Sequence, residues 1–382
     1  MTSLAGAPVA LQRCDVFVGR TMNWNYDHLR SVPRYRVVVA ADALENRDEF
    51  PLLEAFRIDR GGLLHRAWNR VLPERLYPPL ASRLRALRPV VLHSHMGYVA
   101  ARDVAIHAAL HVPWLISFHG ADIYMLGQRP EWRAIYGRLF ERASRVLALG
   151  PHMAEALTAL GCPLERIAIH PLGVDVAHLP ARPRVLARGQ PLEILFAGTF
   201  REKKGFRYLV DAVALAVTRG VNCRLTVVAE AGGRPGDREE EAEASRRIAE
   251  HGLERHVRRF PLLPFQQLIE LGLASHVFVA PSVTASDGDK EGVPIVVQQM
   301  MATAMPVITT AHSDIPFLFG PLAHQLVPER DAAAIAGRLE HYAADPAAIV
   351  RDGEAQRARI EEGFDVRHCA ARLAEHYDRL AR

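Results

Sequence analysis

The stretch LEILFAGTFREKKGFRYLVDAVALAV, residues 192–217, joins a nearly continuous apolar run to a polar turn and then to a helical pattern that opens at Phe206. An apolar run of that length is what a strand covered by helices on both faces requires. The turn, Thr199–Gly205, carries Arg201, Lys203 and Lys204 into the start of a helix, where backbone N–H groups lack intrahelical partners. Such a glycine-containing, cationic turn is a natural diphosphate site. Gly198 and Thr199 lie at its mouth. Arg201 can grip phosphate oxygens through two parallel hydrogen bonds, while Lys204 or Lys203 supplies a point charge. The pattern GxxxxGK[ST] is absent, so this is not a P-loop.

Outward from this unit the same alternation repeats. YRVVVAA, PVVLHSH, VPWLISF and RVLAL precede it, and CRLTVVA, HVFVAP and MPVITT follow. Strand then helix, repeated, gives parallel sheets, and eight such runs exceed one sheet. A length of 382 residues also exceeds one ordinary core, at roughly 100–200 residues per domain. The pattern pauses between Pro171 and Pro191, where four prolines and two glycines read as an interdomain linker. The expected division is therefore a Rossmann-like domain over residues 1–185, a second over 190–363, and a last helix, 364–382, that crosses back to the first.

With 49% hydrophobic and 24% charged residues the chain reads as globular, and no stretch approaches the roughly 20 apolar residues of a membrane span. The opening MTSLAGAPVALQRCDVFVG lacks a basic leader before an apolar core, so a cytoplasmic location is expected. Cys14, Cys162, Cys223 and Cys369 are widely separated, so buried thiols are expected rather than disulfides or zinc. The net charge of +4 is unevenly spread: from Arg57 to Arg88 there are eight arginines against Asp59 and Glu74. Interleaved Leu63, Leu64, Trp68, Leu72, Leu76 and Tyr77 make this either a basic amphipathic surface for peripheral contact with anionic lipid or a solvated helix face. No nucleic-acid recognition motif accompanies the arginines, and no nucleic-acid partner is expected.

In open parallel sheets ligands bind beyond the carboxyl ends of strands, which draws attention to three further loops. SVTASDGDKEGVPIVVQQMMATAMPVI, residues 282–308, leads from a strand into a helix opening at Val293 and Pro294. Glu291 stands there beside free amides, able to accept sugar hydroxyls, with Gln299 about two turns along the same flank. SFHGADIY, residues 117–124, places His119 after a strand, where an imidazole can bond a sugar or polarise a leaving phosphate. TTAHSDIPFLF, residues 309–319, adds Thr310, His312, Ser313 and Asp314 as a polar loop beside Glu291. His93 and His95 share one strand end without a sequence-adjacent carboxylate, so no metal is expected there.

Together, FAGTFREKKGFRYLVDA, PSVTASDGDKEGVPIVVQQMMATAMPVITT, SFHGADIY and ERIAIHPLGVD resemble, in order and spacing, the retaining GT-B glycosyltransferases of family 4, notably the branch building bacterial exopolysaccharide. The likeness runs from about Val90 to Asp331. It implies a GT-B fold, two doubly wound domains facing a cleft, and transfer of a sugar from a nucleotide-diphosphate donor to a carbohydrate, lipid-linked or small-molecule acceptor. It further implies that His119 and Glu291 are catalytic, that Gly198, Thr199, Arg201 and Lys204 bind the donor diphosphate, and that Gly292, Val293, Pro294 and Gln299 bind donor sugar and ribose. No metal or other cofactor is implied. The sugar would pass through an oxocarbenium-like state, with retention by a front-face route.

The chain departs from the family where Thr199 and Gln299 replace the usual arginine and glutamate, where Asp314 replaces glycine, and where Phe317 replaces glutamate. An amide at position 299 keeps ribose hydrogen bonds without charge assistance. These exchanges leave open an alternative, a non-catalytic GT-B subunit that binds sugar nucleotide or a partner transferase. GRTMNWNY, residues 19–26, departs from the familiar acceptor loop; Asn23, Trp24 and Asp122 are the expected acceptor-side residues.

Overall fold

The computed structural model describes residues 6–19, 23–51, 54–58, 67, 68, 70 and 75–382. These divide into two compact units, Met1–Gly173 with Val366–Arg382, and Val174–Asp365. The second unit thus starts twelve to sixteen residues before the expected 185–190 boundary, at the close of the first sheet.

The first unit is built on seven strands: β1 Val9–Phe17, β2 Arg36–Leu44, β3 Glu54–Arg57, β4 Pro89–His95, β5 Trp114–Ser117, β6 Arg145–Ala148 and β7 Ile167–Ile169. They pair in parallel in the order β3-β2-β1-β4-β5-β6-β7, with Leu11 opposite both Val38 and Leu92. The order reverses between β1 and β4, which makes that point the unit's topological switch. One core cluster joins Ala10, Val39, Val91 and Leu115 to Leu373, Ala374 and Tyr377 of the helix Val366–Leu380, so that this helix completes the first unit's core. Tyr377 bonds His93 Nδ1 at 2.8 Å and receives Gln12 Nε2 at 3.0 Å. Arg13, also buried in β1, is tolerated because Asp103 and Asp42 lie 2.9 and 3.0 Å from its guanidinium.

The second unit holds β8 Leu192–Thr199, β9 Cys223–Glu230, β10 Val257–Phe260, β11 Val277–Ala280 and β12 Val307–Thr309. Their order is β10-β9-β8-β11-β12, all parallel, with the switch between β8 and β11. Its core packs Ile194, Phe196, Leu225 and Val279 against Leu209 and Val213 of the helix Phe206–Thr218.

The proline-rich run 171–191, read as a linker, is for the most part strapped to the second unit. Arg184, 3% exposed, donates to the carbonyls of Ser275, Gly272 and Thr303 and to Thr303 Oγ1, over 2.8–3.2 Å. Leu186 enters the core beside it. A buried guanidinium satisfied by carbonyls fixes a segment that periodicity alone marks as irregular.

The basic stretch Arg57–Arg88 lies partly outside the described residues, and its amphipathic reading falls chiefly there. In the described helix Pro78–Ala86, Leu80, Ala81 and Leu84 are buried. Arg83 covers the Phe56 ring at 3.9 Å, and Arg85 Nε donates to Ala109 O at 3.0 Å. Among the described residues no helix is long and apolar enough to cross a membrane. All four cysteines are buried free thiols.

Candidate active site

At the second unit's switch point the loop after β8 and the loop after β11 are locked together. Gly205 has φ +64°, and a Cβ there would lie 1.8 Å from the carbonyl oxygen of Pro281. Only glycine permits both the conformation and the approach. Val283 N–H donates to Lys203 O at 2.9 Å, and Glu202 Oε2 accepts from Ser286 N and Oγ at 2.8 and 2.6 Å.

This lock brings four charged groups together. Glu291, 8% exposed, has Oε1 at 3.1 Å from Lys204 Nζ and 3.3 Å from Lys203 Nζ. Lys203 also meets Asp289 at 3.1 Å and donates to Lys290 O at 3.3 Å. Burial pushes the Glu291 carboxyl up, but Lys203 and Lys204 outweigh it and hold the carboxyl well below the usual carboxylate range. Lys203 is held above its usual value, because Glu291 and Asp289 outweigh its own burial. Gly198 faces the Lys204 stem, since a Cβ on it would touch Lys204 Cδ at 3.7 Å.

The helix begins at Ile295, with Pro294 as its cap at ψ 122°, rather than opening at Val293 and Pro294. Pro294 O accepts from Val297 and Gln298 N–H. Gly292 and Val293 therefore form a bend next to Glu291, Pro294 is extended, and Gln299 is buried on the helix. Thr199 closes β8 opposite Glu230. Arg201 is directed to the loop after β9, with Nε 3.6 Å from Asp237 Oδ1 and its guanidinium packed on Gly232. A diphosphate role for Arg201 requires it to leave or share that carboxylate. Phe317, where the family has glutamate, packs its ring on Phe364 at 5.9 Å.

Sequence reading missed Asp289, Asp237 and Glu329. Asp289 sits in the quoted DGDKEG motif, and its charge beside a lysine-rich loop was the available signal. Glu329 is distant in sequence: it meets His312 Nδ1 at 2.6 Å only because Thr310 and Val327 form a β-bridge.

In the first unit His119 follows β5. Its ring nitrogens are covered and, among the described residues, have no hydrogen-bond partner. Trp24 packs on it at 4.9 Å and His95 stacks beneath at 5.8 Å. Burial, with His28 nearby, lowers its pKa to about 3, so the ring is neutral at pH 7. The side chain of Asn23 lies outside the described residues. Asp122, read as acceptor-side, is committed to the backbone: Oδ1 accepts from His119 and Gly120 N–H at 3.0 and 2.9 Å, and Oδ2 from Gly97 N–H at 2.9 Å. It shapes the turn that presents His119. His93 is satisfied within the protein by Tyr377 and Ser117, and His95 bonds Gln12 through Nε2 at 3.0 Å, while His95 Nδ1 has no hydrogen-bond partner among the described residues. Among the described residues no group of three or more His, Cys, Asp or Glu could hold a metal ion.

Two doubly wound parallel-sheet units, one with a lysine-glutamate cluster at its switch point, define a GT-B protein. The chain belongs to glycosyltransferase family 4: residues 28–178 match the model "Glycosyltransferase Family 4", and 180–363 match "Glycosyl transferases group 1". It is 31% identical over 293 residues to the amylovoran biosynthesis glycosyltransferase AmsK of Erwinia amylovora, covering 75% of this chain and 69% of that one. With the putative colanic acid biosynthesis glycosyltransferase WcaL of Escherichia coli K12 it shares 32% identity over 250 residues, 65% of this chain and 60% of that one. In fold it is similar to Anabaena Alr3699/HepE solved with UDP and glucose, at TM-score 0.78 and 15% identity over 97% of this chain and 99% of that one. The sucrose-phosphate synthase of Thermosynechococcus elongatus gives TM-score 0.74 at 20% identity over 98% and 99% of the two chains.

Proposed function

We propose that this glycosyltransferase takes its sugar from a nucleotide-diphosphate donor, retains the anomeric configuration, and serves exopolysaccharide-type synthesis. The observation carrying the donor reading is Glu291 Oε1 within 3.1 and 3.3 Å of Lys204 and Lys203 at the β8/β11 switch point. A diphosphate takes Lys204, leaving Glu291 to accept sugar hydroxyls while Asp289 keeps Lys203 in place. Amides at the start of the helix Ile295–Ala302, with Lys204 and Arg201, neutralise the leaving diphosphate without a metal. His119, neutral and without a protein partner among the described residues, is assigned to the donor sugar. Gln299 is assigned to the ribose. The exopolysaccharide reading draws on the AmsK and WcaL relatives, and the nucleotide reading on the UDP and glucose held by the Anabaena protein. The acceptor is a carbohydrate, lipid-linked or small-molecule hydroxyl.

Calorimetric titration of UDP, GDP and ADP and of their glucose conjugates tests this, with wild type and Glu291→Gln followed for slow donor hydrolysis. Tight binding of one conjugate, with hydrolysis lost in the variant, is expected. Binding of none overturns the donor site.

A further inference from the structure

The loop from Thr284 to Glu291 is held at both ends by one carboxylate. Glu329 Oε2 accepts Thr284 N–H at 2.8 Å, and Glu329 Oε1 receives His312 Nδ1 at 2.6 Å. On the far side of that imidazole, Glu291 N–H donates to His312 Nε2 at 3.1 Å. Since an amide can only donate, Nε2 carries the lone pair and Nδ1 the proton, which Glu329 then accepts. His312 is 1% exposed, so no water substitutes readily for either partner. The pair is brought together by backbone pairing of two segments: Ala311 N–H donates to Val327 O at 2.9 Å and Val327 N–H to Thr309 O at 3.0 Å.

The chain Glu329, His312, Glu291 fixes the backbone N–H of the residue whose carboxylate is assigned to the donor sugar. We propose that His312 and Glu329 are positioning residues for sugar recognition, setting the direction of Glu291 without touching the nucleotide. This rests on the donor reading of Glu291 given above. The diphosphate is gripped from the β8 loop by Lys204, a separate attachment, so nucleotide and sugar binding respond differently to loss of the pair. Glutamine at 329 cannot replace the carboxylate: with its oxygen toward His312, its NH2 faces the Thr284 N–H, donor against donor.

Glu329→Gln and His312→Phe test the proposal in two measurements. In the unliganded protein, amide hydrogen exchange over residues 284–292 is expected to accelerate about tenfold in both, the size of one lost hydrogen bond. Exchange equal to wild type overturns the relay whatever the ligand data show. In calorimetry with UDP, GDP and ADP and their glucose conjugates, the bound conjugate is expected to weaken about tenfold, with the parent nucleoside diphosphate within about twofold of wild type. Equal weakening of both overturns the positioning role. If wild type binds no nucleotide, the donor reading fails by itself, and the exchange measurement decides the relay alone.

Discussion

Gly205 and Pro281 approach so closely that a Cβ on residue 205 would stand 1.8 Å from the Pro281 carbonyl oxygen. Both loops of the donor cluster turn on this contact, because it sets where Lys203 and Lys204 emerge relative to Glu291. Gly205→Ala must displace the β11 loop and also adopt φ +64°, at an expected cost of several kcal/mol, about 1 from the conformation alone. A lower Tm together with lost nucleotide affinity is the expected result; unchanged binding would show that the two loops move independently.

The two lysines of the EKKG turn do different work. Lys203 is 8% exposed and pairs with Asp289, 4% exposed, at 3.1 Å, so Lys203→Ala leaves that buried carboxylate only Arg234 at 3.7 Å as an ion-pair partner among the described residues, a loss of up to about 3–5 kcal/mol. Lys204 has only Glu291 as its ion-pair partner among the described residues and is more open. Lys204→Ala is expected to lower Tm little while weakening the nucleoside diphosphate more than about tenfold, as loss of a charged phosphate contact does. Denaturation and calorimetry on both variants check the split, and equal effects would contradict it.

The first unit buries an array of neutral histidines. Burial, with Arg372 adding its charge, pushes His28 down to about 4, and burial with nearby His28 takes His119 to about 3. Burial and neighbouring histidines hold His93, His95 and His170 well below the ordinary value. The unfolded chain protonates these rings near pH 6.5, so below that pH it binds more protons than the folded one. Stability contributed by the array is therefore complete above about pH 6.5 and falls as pH drops toward about 4, each ring adding up to about 1.4 kcal/mol per pH unit. Calorimetric unfolding from pH 7.5 to 5 is expected to show the first unit's transition falling steeply. A transition independent of pH would mean that the rings are hydrated and titrate normally.

How much of this was legible depended on where the determining contacts lie. Each run read as a strand is one, because a strand buried on both faces must be apolar, and this holds even for β12, an edge of the second sheet whose residues are all buried. The short edges β3, β7 and β10 were not read, since EAFR, IAI and VRRF are part-exposed and two of them carry charge. The cationic turn and Glu291 could be read together because parallel topology sends both loops to one switch point. The pairing of His312 with Glu329 could not, as it depends on a bridge between Thr310 and Val327. Arg201 and Asp122 were read as ligand groups for their chemistry, while their neighbours Asp237 and the backbone of Gly97, His119 and Gly120 are supplied by tertiary structure.

Asp122 makes that last distinction testable. Its carboxylate receives three backbone N–H groups, and Tyr136 OH donates to its carbonyl, so the residue organises the turn bearing His119. Asp122→Asn keeps the volume but directs an NH2 at one of those donors, leaving at least one buried N–H without an acceptor at about 1–3 kcal/mol. A residue that only contacted acceptor would alter the acceptor KM and spare Tm and donor hydrolysis. Because His119 N–H hangs on the same oxygen as Gly120 N–H, the expected outcome is the opposite: Tm and donor hydrolysis fall together, while the acceptor KM changes little. A variant with wild-type Tm and a raised acceptor KM would return Asp122 to the acceptor side.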